Sequence, residues 1–281
     1  MIFFTVEYSS VSAMHACSQR TGSPESGVCL TLEGMEWYED ESLWRELYPY
    51  VFPAERVAAA EGQVSQMLTL TGVTGGAVLD LCCGPGRHAV ELARRGFSVT
   101  GVDRSPFLLE RARERADAAE VAVEWVRDDM REFQRPARFD LACNLFTSFG
   151  YFEREEDNLR VLRNLRESLR GGGTLVMDMV GRERMQTQGT EPRHSHFADG
   201  AALIQMPHVN EDWTRLDNEW TVVQADGQSR NYRFEHHLYS GPGLRRRLLD
   251  CGFATVRLYG DLQGSPYGPE ALRLVAVARK T

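Results

Sequence analysis

The sequence predicts an α/β fold in which a mainly parallel sheet is covered by helices on both faces, and three observations carry this. From Ala77 onward, short β-rich runs alternate with amphipathic helical stretches, a pattern whose parallel strands are buried on both sides. Within "CCGPGRHA", Gly84, Gly86 and Ala89 stand in the G-x-G-x-x-G/A spacing between a strand and a helix. Asp103 closes the next strand about 20 residues further on, where a carboxylate can accept both hydroxyls of a ribose.

Taken in order, "AVLDL" is the first strand, Gly86–Arg95 a helix, "FSVTGV" the second strand and Pro106–Ala116 a helix. "VAVEWV" and "FDLACNLF" follow as the third and fourth strands, then a helix over Arg154–Leu169 and a fifth strand, "GTLVMDMV". In that helix Leu159, Leu162, Leu165 and Leu169 line one face, while Arg160, Arg163, Arg166 and Glu167 fall elsewhere, and Gly171 supplies the stop.

The chain has 281 residues, 42% of them hydrophobic, enough for one sizeable domain with an insertion. A net charge of -8 offers little attraction to a polyanion, so the expected partner is a small molecule, with no nucleic acid and no membrane, and a monomer or homodimer as the assembly. No apolar run approaches a bilayer span, and the opening "MIFFTVEYSSVSAMHAC" lacks a basic start and a continuous apolar stretch, so it does not read as a signal peptide. Cys17, Cys29, Cys82, Cys83, Cys143 and Cys251 lack the paired spacing of a zinc site or disulfide scaffold, and a reduced, cytoplasmic protein is expected. Residues 1–34, rich in Ser and Gly without a period that buries a face, read as a disordered leader, with Met35 as an alternative start.

The glycine loop alone serves several adenosine-containing ligands. Asp80, at the end of the first strand, discriminates among them: a carboxylate there repels a diphosphate but suits an ammonium- and sulfonium-bearing chain. After the third strand, Asp128 and Asp129 can accept from an adenine amino group while Met130 packs on the purine; alone, these acids would read as a helix start. Arg87 and His88 open a helix whose end is already positive, so either of them, or Arg56, can hold a carboxylate, or they are simply a solvated Arg and a packed His.

The chain resembles the class I S-adenosylmethionine-dependent methyltransferases over roughly residues 36–280, on the motifs "VLDLCCGPGRHAVELARRGFSVTGVDRS", "RDDM", "FDLACNLFTSFGYF" and "LRGGGTLVMDMV". The resemblance implies a Rossmann-like, doubly wound seven-stranded sheet with the last strand antiparallel, closed by "FATVRLYGD" and "RLVAVARK", over 35–180 and 241–281. It is nearest the small-molecule branch with an antiparallel β insert, here 181–240. By position it implies that Asp80 and Gly84 line the methionine end, Asp103 the ribose, Asp129 and Met130 the adenine, and Asn144 and Phe146 the floor beside the methyl group, with Cys82, Gly86 and Arg104 also among the cofactor-binding residues. Cys82 and Cys83 read as compact loop fillers rather than reactive thiols.

Acceptor-side residues come from three stretches. The resemblance makes the first a lid, with Trp37 and Tyr38 expected as its cover residues; Phe149 and Tyr151 follow the fourth strand, and the insert supplies Trp220. Within the insert "ALIQMPHV", "TRLDNEWTVVQ" and "SRNYRFEHHLYS" read as strands with an Asp-Gly hairpin signal at "ADGQ". Period two sets Tyr232, Phe234, His236 and Leu238 on one face and Arg233, Glu235, His237 and Tyr239 on the other. His236 and His237 compete as general base, with Tyr239 beside them, against the reading that these are packed residues. His194 and His196 form an H-x-H without acidic or cysteine partners, so no metal is expected. A nucleic-acid methyltransferase, a dinucleotide-binding oxidoreductase and a non-catalytic cofactor-binding protein are the alternatives weighed.

Overall fold

A computed structural model describes residues 36–281; the leader, with Met35, Cys17 and Cys29, lies outside the described residues. The chain starts with a 3₁₀ turn, Trp37–Glu39, and three helices, α1 (Glu41–Val51), α2 (Ala54–Ala58) and α3 (Ala60–Thr71). There follow β1 (Ala77–Leu81), α4 (Arg87–Arg94), β2 (Ser98–Asp103), α5 (Pro106–Ala118), β3 (Glu124–Arg127), β4 (Phe139–Asn144), α6 (Glu155–Ser168) and β5 (Leu169–Met179). After α7 (Arg182–Gln188) come four strands, β6 (Arg193–His196), β7 (Ala202–Val209), β8 (Arg215–Val223) and β9 (Ser229–His237). The chain closes with α8 (Gly241–Asp250), β10 (Thr255–Tyr259) and β11 (Leu274–Arg279).

The main sheet has seven strands in the order β10-β11-β5-β4-β1-β2-β3. β11 runs antiparallel to both neighbours and the other pairings are parallel, as the sequence predicts. Period two explains why it is covered twice. On β11, Leu274, Ala276 and Ala278 pack with Leu162 and Leu165 of α6 and Leu248 of α8, whereas Val275 and Val277 pack with Val64 and Met67 of α3 and Leu92 of α4. Both faces being dry, the strands read as near-continuous apolar runs.

Local signals fix the helix starts. Ser105 accepts from the Leu108 N–H (3.1 Å) with Pro106 in the first turn of α5, Ser240 accepts from the Gly243 N–H (3.1 Å) at α8, and Asp40 caps α1 by accepting from Ser42 and Leu43. Two boundaries differ from the sequence reading. α6 stops at Ser168 because Leu169 is already extended and opens β5, so Gly171 lies in the strand and is not the stop. The third strand is only Glu124–Arg127. β6, α7 and α8 are elements that the pattern reading did not separate.

β6–β9 form a second, wholly antiparallel sheet. The β8–β9 hairpin turns at Asp226-Gly227, where Gly227 takes φ 85° and the Gln224 N–H donates to the Gln228 carbonyl (2.8 Å). The apolar face of this second sheet, with Leu203, Trp220, Val222 and Phe234, packs on Leu43, Leu47, Tyr50 and Val51 of α1. These α1 positions recur at helical spacing, so one face of α1 is spent on the insert sheet. No helix among the described residues is long and apolar enough to cross a membrane.

Candidate active site

The carboxyl ends of β1, β2, β3 and β4 open into one cleft, roofed by α1 and by β8 and β9, the position where open parallel sheets bind ligands. The loop after β1 forms its floor. Cys82 takes φ 62° and Gly84 φ 56°, left-handed conformations that turn backbone toward the cleft. The Gly84 N–H donates to Asp103 Oδ2 (2.7 Å) and the Ser105 N–H to Asp103 Oδ1 (3.0 Å). Burial pushes the Asp103 carboxyl up to about 6 even though these two N–H groups favour its charge.

Asp80 is 2% exposed and its Oδ2 has no hydrogen-bond partner. Burial raises it to about 7, against the pull of Arg87. Facing it is a cationic end. Arg87 stacks 3.9 Å over the Phe146 ring and donates to Gln63 Oε1 (2.6 Å) and the Arg56 carbonyl (3.2 Å). Burial lowers the pKa of Arg87 to about 9 and of Arg56 to about 10, which marks two guanidinium groups held in poor solvation. His88 Nε2 lies 3.0 Å from the same Gln63 oxygen, and burial holds the ring neutral. Arg273 is answered by Asp178 (2.7 Å).

At the opposite end Met130 and Asp128 line the cleft. Asp129 lines it too, but its carboxylate accepts from Arg131 Nη2 (2.7 Å) and Nε (3.0 Å) and from Arg104 Nη1 (3.1 Å). Burial works to raise Asp129, and these cations more than offset it, leaving the pKa below the usual range. Arg104 also reaches Glu39 (2.6 Å), tying the amino-terminal cover to the β3 loop.

The upper wall is aromatic. Trp37 meets Tyr151 (4.7 Å), Phe234 (5.4 Å) and Tyr38 (5.5 Å), and Trp220 meets Phe234 edge-on (4.8 Å). Trp37, Tyr38, Tyr151 and Trp220 therefore line one cleft with Asp80, Cys82, Gly84, Asp103, Arg104, Asp129, Met130 and Phe146.

Six expected residues lie elsewhere. His236 is 1% exposed and sits opposite Leu216 on the covered face of β9, with neither ring nitrogen bonded and its pKa pushed down to about 3 by burial. His237 is spent on the Glu153 carbonyl (3.2 Å), and Tyr239 donates to Glu155 (3.0 Å) while stacking on Phe149. His236, His237 and Tyr239, the residues expected to supply or flank a base, are not among those that line the cleft: packing against the β4–α6 connection claims one face of the strand and the core claims the other. Phe149, 1% exposed, belongs to the main core and not to the acceptor wall. Asn144 is a brace, donating to the Leu81 and Ser148 carbonyls (both 3.3 Å). Gly86 makes room for the Trp125 ring, as a Cβ there would lie 2.6 Å from it.

Leu43, Leu47, Val51 and Phe52 line the cleft from α1 and its end, and Phe234 from β9; the spacing of the α1 residues carried that signal. Ser148 on the β4 loop also lines it, without a sequence cue.

His236 gives a pH test of this placement. Its folded pKa lies below its ordinary 6.5, so the unfolded chain takes up a proton that the folded chain refuses. Its contribution is intact above about pH 6.5 and lost as pH falls toward 3. His236→Leu is therefore expected to gain melting temperature over the parent as pH drops from 7 to 4, at up to about 1.4 kcal/mol per pH unit. A difference that stays flat with pH would contradict a buried neutral ring.

The methyltransferase domain family matches residues 78–173. A Geobacillus sp. (strain WCH70) protein, named as a methyltransferase without a stated acceptor, is 33% identical over 215 residues, spanning 72% of this chain and 84% of that protein. A glycine/sarcosine N-methyltransferase from Aphanothece halophytica is 28% identical, over 72% of this chain and 76% of its own length. Among solved structures, the CcbJ methyltransferase from Streptomyces caelestis superposes with a TM-score of 0.73 at 20% identity, covering 88% of this chain and 98% of that one.

Proposed function

Because the chain belongs to the class I S-adenosylmethionine-dependent methyltransferases, we propose that it methylates the nitrogen of a small-molecule amine. When bound, S-adenosylmethionine supplies a methyl group activated on a sulfonium, open to in-line displacement by a lone pair. The orphaned Asp80 oxygen fits such a ligand: a buried carboxylate raised to about 7 is matched by an ammonium group, and Arg56 or Arg87 by a carboxylate. Asp103 holds the ribose, and Met130 packs on the adenine. Trp37, Tyr38 and α1 exclude water above the reacting atoms.

One observation carries the choice of nitrogen. Among the described residues, the aromatic end of the cleft has no base poised near neutral pH: burial pushes Tyr38 up to about 12 and Tyr151 higher still, and the two strand histidines lie off the wall. A hydroxyl acceptor needs its proton removed, whereas an amine presents a lone pair once it has lost its own proton to solvent. Positioning then supplies the rate. The glycine/sarcosine relative supports an amine of small size.

The test is transfer of a labelled methyl group to glycine, sarcosine and D-glucosamine against glycolate and D-glucose. Label is expected in amines alone, with kcat/KM falling below the amine's own pKa. Label on glycolate or glucose oxygen would refute the reading.

A further inference from the structure

Resting on the amine reading, we propose that the Trp220 indole N–H is the acceptor's polar anchor, and that the amine carries an oxygen, as hydroxyl, carbonyl or carboxylate, that accepts from it. Trp220 sits mid-strand on β8, between Gln205 of β7 and Tyr232 of β9, 1% exposed and on the cleft wall. Its Nε1 is buried without a hydrogen-bond partner.

Its neighbours have spent theirs. Trp37 Nε1–H donates to the Glu235 carbonyl (3.2 Å), Trp44 Nε1–H to the Tyr38 carbonyl (3.3 Å), the Ser148 hydroxyl to the Leu145 carbonyl (2.8 Å), and the Tyr232 hydroxyl to Glu46. A buried donor left unpaired carries a desolvation penalty, and a phenyl ring would fill much of the same wall without it. His236 is also unpartnered, yet it does not line the cleft. Among the described residues that line the cleft, Trp220 is the one whose fully buried side-chain donor has no hydrogen-bond partner, and an oxygen-bearing ligand satisfies it where a hydrocarbon amine leaves it desolvated and unpaired.

Trp220→Phe tests this in the full chain. The variant is expected to melt no lower than the parent and to bind S-adenosylhomocysteine within about two-fold of it. The probes are glycine, sarcosine and D-glucosamine, each paired with an oxygen-free counterpart, methylamine, dimethylamine and cyclohexylamine. The parent is expected to favour the oxygen-bearing member of a pair by about 10-fold or more in kcat/KM, and the variant to lose that preference. In parent protein labelled with ¹⁵N-tryptophan and saturated with S-adenosylhomocysteine, the indole resonance missing from the variant should move with the preferred probe. Retained preference in Trp220→Phe, a lowered melting temperature, equal use of oxygen-free amines by the parent, or a Trp220 resonance that no probe moves each overturns the proposal. Methyl transfer to glycolate or glucose refutes the amine reading instead, and a Trp220→Phe effect on those acceptors would still show the anchor.

Discussion

Asp103→Ala is expected to weaken S-adenosylhomocysteine binding by at least about 100-fold, since two charge-assisted hydrogen bonds to a ribose are worth roughly 1.5–3 kcal/mol each. The structure adds a second loss. The same carboxylate accepts the Gly84 and Ser105 N–H groups (2.7 and 3.0 Å), so alanine also releases the glycine loop and leaves two buried donors unpaired, at about 1–3 kcal/mol apiece. A fall in melting temperature accompanies the loss of affinity. Titration calorimetry with unchanged affinity would remove Asp103 from the site. Because burial raises this carboxyl to about 6, ligand affinity in the parent should decline as pH falls through that value, where the protonated group accepts poorly.

Gly86→Ala is expected to cost roughly 3 kcal/mol or more of stability. Gly86 takes φ 72°, and a Cβ on it would lie 2.6 Å from the Trp125 ring and 2.9 Å from Ala112. Trp125 cannot yield cheaply, as it also covers Gly101, where a Cβ would lie 2.4 Å away. Gly84→Ala separates the two glycines. Its added Cβ meets only Phe52, at 3.5 Å, so the fold pays chiefly the positive-φ strain of about 1 kcal/mol, while a methyl group on the cleft floor obstructs the ligand. Thermal melts should therefore fall further for Gly86→Ala, and calorimetric affinity further for Gly84→Ala. Equal melting losses would mean that both glycines do the same work.

How much of this was legible follows from where the information lies along the chain. The strand–helix alternation, the left-handed turns at Gly84 and Gly86, the carboxylate closing β2 and the period-two faces of β8 and β9 are written in contiguous residues, because dihedral preference and side-chain alternation are local properties. That sufficed for the class of fold and for Asp80, Gly84 and Asp103 as residues of one cleft. The acceptor end was not legible in the same way. Period two assigns His236 and His237 to opposite faces, yet neither face of β9 at that position meets the cleft. His236 is closed in opposite Leu216, and His237 is held on the β4–α6 connection by Glu153, 84 residues away. Nor does spacing tell Gly86 from Gly84, since only the Trp125 ring, brought up by β3, makes one a packing device. Nor does spacing show that Asp129, on the cleft wall, also accepts from Arg131 and Arg104. Local sequence determined which backbone and which chemistry are present, while the tertiary structure decided which polar groups are already spent on distant partners and which, like Asp80 Oδ2 and the Trp220 N–H, are buried without one; a hydrogen bond satisfied across the fold leaves no periodic mark in the sequence.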